Sequence, residues 1–366
     1  MYLCIFQATW ETLETLETLE TPESPAKQER MMDRILITGA SGFIGSFIVE
    51  EALSKGMEVW AAVRKSSSRA FLTDSRIHFI ELSLSDKERL CTQLQDHAFD
   101  YVVHAAGVTK CLHADDFHKV NTLGTENLVK ALIATRQPLR RFVYLSSLSI
   151  YGPVREQQPY EEIRESDTPQ PNTAYGRSKL AAEHFLDSLK DDGIDFPFVV
   201  LRPTGVYGPR ERDYFMMAKS IKQHLDFAAG YKRQDLTFVY VTDVVQAVFL
   251  ALDHGPAGAK YFLSDGEVYL SRTFSDYLRR ELGNPWWVRV KAPLFVLRAI
   301  TFCGEYWGRL TGKVTALNND KYHIMCQRNW RCDIQPAITQ LGYNPQVLLE
   351  EGVRRTVQWY KENKWL

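Results

Sequence analysis

The sequence predicts an α/β fold with a doubly wound parallel sheet, because short apolar strands alternate with helical stretches between residues 34 and 201. The predicted strands are rich in β-branched and aromatic residues and cover 34–38, 58–63, 78–82, 101–104, 142–146 and 198–201. Helical spacing of apolar residues occurs over 43–55, 120–135 and 174–189. Strands that alternate with helices at this spacing form a parallel sheet covered by helices on both faces.

A second, smaller domain is predicted in the C-terminal half. The chain has 366 residues, enough for about two domains. The regular alternation ends near Arg202, after which aromatic residues, prolines and shorter helices predominate. We therefore predict a first domain over 31–201 plus about 236–256, and a smaller α/β substrate-binding domain over 202–235 plus 257–366.

The first thirty residues differ in character from the rest. Residues 11–23 repeat Thr, Leu and Glu with a period of three, which cannot keep the leucines on one helical stripe, and Pro22 and Pro25 end any helix that forms. We predict that residues 1–30 are a disordered or non-native extension ahead of Met31 and Met32. A partner-binding arm is the alternative.

Composition excludes several classes of protein. The 44 basic residues nearly balance the 45 acidic ones, for a net charge of -1, so no overall basic field exists to hold nucleic acid. The six cysteines show neither a CxxC pair nor a histidine spacing typical of zinc, which favours a reduced cytoplasmic protein without a metal. No stretch has the length and apolarity of a membrane span.

A glycine-rich loop separates the first predicted strand from the first predicted helix and reads Thr38-Gly-Ala-Ser-Gly-Phe-Ile-Gly45. Gly39 allows a sharp turn, Gly42 lets the backbone approach a pyrophosphate, and Gly45 allows the helix to pack closely on the strand. The helix start adds free N–H groups and the positive end of the helix dipole. This context predicts a Rossmann dinucleotide site with contacts at Gly39, Ser41, Gly42, Phe43, Ile44 and Gly45.

The end of the second predicted strand indicates which dinucleotide binds. A carboxylate at this place would accept hydrogen bonds from an unmodified ribose. The chain has Arg64 and Lys65 there, whose cations suit a 2′-phosphate. NADP(H) is therefore favoured and NAD(H) is the alternative. If Arg64 and Lys65 form only a solvated basic turn, they do not indicate which of the two cofactors binds.

Tyr175 and Lys179 are the candidate acid–base pair. Their i, i+4 spacing on a predicted helix places both side chains on one face. A phenol with its ordinary pKa of about 10 is a poor base at neutral pH. We expect the neighbouring Lys179 ammonium to lower that pKa, so that Tyr175 exchanges a proton with a substrate hydroxyl or carbonyl oxygen.

Several motifs in a fixed order resemble the extended short-chain dehydrogenase/reductases, the NAD-dependent epimerase/dehydratase family. Besides the glycine loop and the Tyr175–Lys179 pair, they are His104-Ala-Ala-Gly107, Asn121-Thr-Leu-Gly-Thr125, Ser146-Ser-Leu-Ser-Ile-Tyr-Gly152 and Arg202-Pro-Thr-Gly-Val-Tyr-Gly-Pro209. The resemblance runs from about Ile35 to the C-terminus and implies a homodimer that acts on a small molecule. It implies catalytic roles for Ser147 and Asn121, and a ribose contact for Lys179. It also implies cofactor contacts at Leu84, Ala105, Ala106, Gly107, Tyr175, Lys179, Pro203, Thr204 and Val206.

Two departures from the family pattern bear on the substrate. Dehydratases of this family usually carry Thr-Asp-Glu near the catalytic serine, whereas this chain has Ser146-Ser-Leu-Ser149, which disfavours dehydration. Nucleotide-sugar epimerases usually carry an aligned arginine and a glycine-rich turn before the V-x-D segment, but here Arg233 is displaced. The apolar stretches around Phe295 and Phe302 instead resemble the 3β-hydroxysteroid dehydrogenase and dihydroflavonol reductase branch.

These observations predict an NAD(P)-dependent oxidoreductase that interconverts a secondary alcohol and a ketone on an apolar or ring-containing substrate. A nucleotide-sugar 4-epimerase using the same Tyr175 is the first alternative. A non-catalytic dinucleotide sensor is the second, although such a protein needs no intact set of Ser147, Tyr175 and Lys179.

Overall fold

A computed structural model describes residues 32–312 and 318–366. The predicted extension over residues 1–30 lies outside the described residues. Residues 33–366 form one compact unit built around a seven-stranded sheet.

The seven-stranded sheet is entirely parallel. Its strands are β1 Arg34–Thr38, β2 Glu58–Val63, β3 His78–Glu81, β4 Tyr101–His104, β5 Arg141–Leu145, β6 Phe198–Pro203 and β11 Lys260–Leu263. The order across the sheet is β11-β6-β5-β4-β1-β2-β3, and every neighbouring pair is parallel. The order reverses between β1 and β4, where ligands of open α/β sheets bind beyond the carboxyl ends of the strands.

Helices cover both faces of the sheet. The helices are α1 Phe43–Ser54, α2 Lys87–Leu94, α3 Ala114–Phe117, α4 Gly124–Ala134, α5 Ala174–Asp191, α6 Arg212–Lys222, α7 Val241–His254, α8 Thr273–Glu281, α9 Leu294–Thr311, α10 Asn319–Cys326 and α11 Leu349–Glu362. Ile35 and Ile37 belong to the same buried cluster as residues of α1 and α7, whereas Leu36 belongs to one with residues of α2, α4 and α5. Burial on both faces explains the continuous apolar runs of these strands and confirms the predicted fold class.

The remaining strands form three short pairs above the carboxyl edge of the sheet. They are β7 Gly205–Tyr207 with β10 Phe238–Tyr240, β8 Leu225–Ala229 with β13 Val288–Ala292, and β9 Asp235–Leu236 with β12 Tyr269–Leu270. A third buried cluster joins β10 to helices α6, α8 and α11.

Strand β11 belongs to the large sheet, although it lies beyond the predicted domain boundary at residue 256. Lys260–Leu263 was predicted to belong to the substrate-binding part, but this strand pairs with β6 at the edge of the large sheet. A four-residue strand that follows a loop with Gly255, Pro256 and Gly258 lacks the surrounding alternation that marks the earlier strands. Helix α7 therefore acts as one more crossover of the same sheet.

Candidate active site

The glycine loop holds helix α1 against the ends of β1 and β4. Gly39 has φ +69°, and a Cβ there would lie 2.6 Å from the backbone of Ala105 and Ala106. A Cβ on Gly45 would overlap the Gly39 carbonyl. Helix α1 has no side-chain cap at Gly42 and no acidic residue in its first turn. The loop thus leaves a cradle for an anion at the start of the helix.

A cavity of about 790 Å³ extends from this loop toward helices α8 and α10. The predicted site residues that line it are Gly39, Gly42, Phe43, Ile44, Gly45, Ala105, Gly107, Ser147, Tyr175, Lys179, Pro203, Thr204 and Val206. The glycine loop and the candidate acid–base residues therefore share one cavity, as a cofactor that reaches from one to the other requires.

Five predicted cofactor contacts are not part of that lining: Ser41, Arg64, Lys65, Leu84 and Ala106. Arg64 and Lys65 follow β2 and are exposed. Ala106 donates its N–H to Thr38 Oγ1 (3.3 Å). Leu84 follows β3, and its carbonyl accepts a hydrogen bond from the Asn127 side chain (3.0 Å). Ala106 and Leu84 are therefore engaged in packing β4 and α4.

Ser147, Tyr175 and Lys179 converge at the carboxyl end of β5. Ser147 lies two residues beyond the end of β5, and its hydroxyl donates to Ser149 Oγ (3.0 Å) and accepts from the Ser149 N–H (3.1 Å). The same side chain acts on the phenol of Tyr175, whose pKa it lowers. Lys179 lies one helical turn after Tyr175 on α5 and donates to the Leu145 carbonyl (2.8 Å). These contacts place a hydroxyl, a phenol and an ammonium on one wall of the cavity.

Burial governs the ionisation of this group. It raises the pKa of Tyr175 to about 12, although the hydrogen bond from Ser147 acts in the opposite direction. Burial also lowers the pKa of Lys179 to about 8, against the influence of Glu183. The expected lowering of the Tyr175 pKa by Lys179 is thus absent here, because burial disfavours the phenolate and is the largest influence on this pKa.

Asn121 is buried behind the cavity rather than in its lining. It lies in a π-helical turn, His118–Leu123, a feature common at functional sites. Its side chain accepts from the Val108 N–H (2.8 Å) and donates to the Val108 carbonyl (3.0 Å) and to Ser178 Oγ (3.0 Å). Asn121 therefore ties the loop after β4 to the helix that carries Tyr175 and Lys179.

His104 belongs to a buried chain of hydrogen bonds. Its Nδ1 lies 2.7 Å from Thr38 Oγ1 and its Nε2 lies 2.9 Å from Thr125 Oγ1. Since the Thr125 hydroxyl donates to the Asn121 carbonyl (2.7 Å), it accepts from His104, which carries its proton on Nε2. Burial and the nearby Lys179 lower the His104 pKa to about 3. His104 is thus a neutral structural residue.

Glu183 and Arg202 form a buried ion pair that the sequence analysis missed. Glu183 lies one turn beyond Lys179 on α5, and its carboxylate accepts from Arg202 at 2.6 Å. The same carboxylate accepts from the Ser146 hydroxyl (2.5 Å), and Arg202 also donates to the Tyr151 hydroxyl (3.2 Å). This network fixes α5 relative to β5 and β6.

Asp320 was also missed. Its two carboxylate oxygens accept the backbone N–H groups of Ala174 and Tyr175, each at 3.0 Å. Thr173 accepts the N–H of Gly176 (2.9 Å), so the first turn of α5 has its amides satisfied. A residue of α10 thereby caps the helix that carries Tyr175 and Lys179.

The outer part of the cavity combines aromatic side chains with one unpaired cation. Phe227, Phe238, Phe274 and Trp330 contribute apolar surface. Arg272 also lines the cavity, and within the described parts of the chain its guanidinium has no hydrogen-bond or ion-pair partner. Arg233 instead pairs with Asp235 (2.7 Å) and does not line the cavity.

The described residues contain neither a helix fit to span a membrane nor a cluster fit to bind a metal. None of the helices in the ranges given above is both long enough and apolar enough to cross a membrane. Across the same ranges, no group of three or more His, Cys, Asp or Glu side chains could hold a metal ion.

Residues 35–264 match the family described as "NAD dependent epimerase/dehydratase family". Because this match covers most of the chain, the protein belongs to that family and is an enzyme of the extended short-chain dehydrogenase/reductase type. The resemblance found in the sequence motifs is thereby confirmed.

The relatives named here act on different substrates. Human dTDP-D-glucose 4,6-dehydratase is 26% identical over 348 residues, which covers 90% of each chain. The 2-alkyl-3-oxoalkanoate reductase of Stenotrophomonas maltophilia is 26% identical over 344 residues, or 88% of this chain and 98% of that protein. The structure of the Thermus thermophilus UDP-glucose 4-epimerase in complex with NAD superposes with a TM-score of 0.71. It is 24% identical and covers 90% of this chain and 99% of its own.

The comparisons bear on the predicted substrate. Nucleotide-sugar dehydratases and epimerases recur among the relatives and solved structures, which favours the nucleotide-sugar alternative over the hydroxysteroid prediction. The solved neighbours bind NAD, so the NADP(H) preference stays a prediction.

Proposed function

We propose that the protein catalyses reversible oxidation of a secondary alcohol to a ketone at Tyr175. The observation that carries this proposal is that Ser147, Tyr175 and Lys179 line one cavity together with the glycine loop. A dinucleotide sensor without turnover would gain nothing from placing these three side chains together.

The glycine loop fits a dinucleotide. Close backbone contacts exclude a Cβ at Gly39 and Gly45, and the start of α1 carries no competing carboxylate. The phosphates would be held by the N–H groups at this helix start, and the ribose by Lys179. When bound, a nicotinamide dinucleotide supplies the hydride acceptor for alcohol oxidation or the hydride donor for ketone reduction.

The chain's own residues handle the proton. In oxidation, ionised Tyr175 removes the proton from the substrate hydroxyl as the carbonyl forms, and in reduction the phenol returns it to the carbonyl oxygen. Ser147 holds the same oxygen by a hydrogen bond. With the Tyr175 pKa near 12, the free protein keeps the phenol protonated at neutral pH and is prepared for reduction.

For the substrate, we favour a nucleotide sugar undergoing 4-epimerisation. The recurrence of nucleotide-sugar enzymes among the relatives supports this choice, and unpaired Arg272 offers a charge-assisted contact to a phosphate. The second candidate is an apolar ketone or its alcohol. The aromatic lining of the outer cavity and the oxoalkanoate reductase relative support it.

Dehydration is disfavoured because the carboxylates of the cavity lining are already engaged. Glu211 caps α6 by accepting from Asp213 and Tyr214 N–H groups at 2.9 and 2.6 Å. Asp213 pairs with Lys110, and Asp226 pairs with Arg289. Elimination of water needs a positioned acid and base beside the reacting sugar carbons.

Replacing Arg272 should distinguish the two substrate candidates. With a dinucleotide present, we expect UDP-glucose to raise the melting temperature of the wild type. Arg272→Met should weaken its binding about 10–100-fold, the loss of one charge-assisted hydrogen bond. Arg354→Met, on the exposed surface of α11, is the matched control. Stabilisation by apolar ketones but not by UDP-glucose, unchanged by Arg272→Met, would establish the second candidate instead.

For the cofactor, we propose that Arg64 favours NADP(H). Arg64 is exposed at the end of β2 and no ion pair holds its side chain within the residues described. Arg64→Ala should therefore weaken NADP(H) by about 10–100-fold and leave NAD(H) nearly unchanged, because only the former has a 2′-phosphate. Titration of both dinucleotides against this variant and Arg354→Ala checks the proposal. Equal losses for the two cofactors would contradict it.

A further inference from the structure

Helix α9 exposes most of its large apolar side chains. The residues that it buries include Leu297, Thr301 and Gly308, which recur at helical spacing. Large apolar residues point outward instead: Phe295 is 74% exposed, Phe302 72%, Tyr306 61%, Trp307 66% and Leu310 64%. A surface helix of a monomeric soluble protein has the reverse arrangement.

The neighbouring β8–β13 pair likewise exposes apolar side chains and buries a polar one. Leu225 and Phe227 of β8 are exposed, and they lie beside Val288 and Val290 of β13, which are exposed as well. The intervening Asp226 is buried and pairs with Arg289. The ion pair is thus shielded while the apolar side chains face outward.

The two elements are adjacent. Strand β13 ends at Ala292 and α9 begins at Leu294, while Tyr231, exposed by 68%, hydrogen-bonds to the Lys291 carbonyl. We call the exposed apolar residues of both elements the apolar face: Leu225, Phe227, Tyr231, Val288, Val290, Phe295, Ile300, Phe302, Tyr306, Trp307 and Leu310. Isolated exposed apolar residues are ordinary, but a group of this size marks a binding surface.

The unpaired charges beside the apolar face are mostly basic. Lys291 and Arg298 belong to β13 and α9, Lys232 follows Tyr231 and Lys222 precedes β8, and within the described residues none of these four side chains has an ion-pair partner. Glu305 is the acidic residue of α9. Apolar and aromatic residues bordered by basic residues are typical of helices that lie in the headgroup region of anionic bilayers.

We propose that the apolar face docks the protein on the surface of an anionic lipid bilayer. Helix α9 would lie in the plane of the headgroups, since its inner face is occupied by packing against α10. A second copy of the chain is a poorer occupant, because a two-fold contact through this face would bring the unpaired basic side chains of the two copies together. The proposal is independent of the proposed function.

The location of the apolar face matters for the active site. Phe227 belongs both to the apolar face and to the lining of the cavity that contains Tyr175. Docking would therefore turn the outer part of this cavity toward the lipid headgroups, and a lipid-borne substrate could enter without crossing water.

Vesicle flotation with the full chain tests the proposal. We expect binding to phosphatidylcholine vesicles containing about 30% phosphatidylserine, little binding to phosphatidylcholine alone, and loss of most binding at about 0.5 M salt. The double variant Phe302→Glu/Leu310→Glu should bind at least about tenfold more weakly, while Leu348→Glu, a matched exposed site on another surface, should bind like the wild type. Activity on a water-soluble substrate should not change in either variant.

A second measurement covers the case in which the double variant fails to fold. Brominated lipids in the anionic vesicles should quench tryptophan fluorescence of the wild type, and Trp307→Phe should reduce that quenching. Absence of both flotation and quenching would overturn the proposal. So would a stable dimer that does not bind vesicles and that the double variant converts to a monomer, since a second copy would then cover the apolar face.

Discussion

Tyr175→Phe is expected to lower kcat by about 10²–10⁴-fold, the usual contribution of a positioned acid–base group. The variant lacks only the phenol oxygen, so its aromatic ring still fills the wall of the cavity beside Ser147. Cofactor affinity should change little because the glycine loop and Lys179 are intact. Turnover under saturating cofactor, together with cofactor titration, measures both effects.

Tyr231→Phe is the matched control for this experiment, since that tyrosine is exposed and does not line the cavity. It should retain wild-type turnover. Activity of Tyr175→Phe within a factor of two of the wild type would assign the proton transfer to another group.

The second large effect is expected in stability. Arg202→Met leaves the Glu183 carboxylate buried without its guanidinium partner, and breaking a buried pair in this way typically costs about 3–5 kcal/mol of the free energy of unfolding. Glu183→Gln should be destabilising in the same manner, because it strands the buried cation of Arg202. The double variant should recover much of the loss, since neither charge then lies uncompensated.

Urea unfolding of the two single variants and the double variant gives the coupling between these residues. Glu351→Gln provides the control, because Glu351 pairs with Arg354 and Arg355 on the exposed surface of α11 and should contribute little. Additive losses at Glu183 and Arg202 would show that the two side chains do not act as a pair.

The parts of the site that depend on local spacing could be predicted from the sequence. The turn at Gly39 follows directly from a strand–glycine–helix pattern, and the pairing of Tyr175 with Lys179 follows from one helical turn. The parallel sheet could also be predicted, because buried strands such as Val102–Val103 give short apolar runs between helices.

Contacts between distant segments could not be predicted in this way. Asp320 caps a helix that begins 146 residues earlier, and an isolated Asp before a lysine has no recognisable pattern. Glu183 does continue the stripe of Tyr175 and Lys179, so a buried carboxylate there was an available signal, but its partner Arg202 lies on another strand. The pKa of Tyr175 depends on burial, which helical spacing alone does not reveal.

Because Asp320 caps α5, ligand binding beside α10 is thermodynamically coupled to the stability of the first turn of α5. Helix α10 carries Asp320 and also contributes Lys321, Ile324 and Met325 to the cavity lining. A ligand that binds more tightly when α10 is docked must stabilise the first turn of α5 by the same free energy, because such coupling is reciprocal. A ligand bound in the outer cavity therefore also stabilises the backbone at Tyr175, whose N–H donates to Asp320.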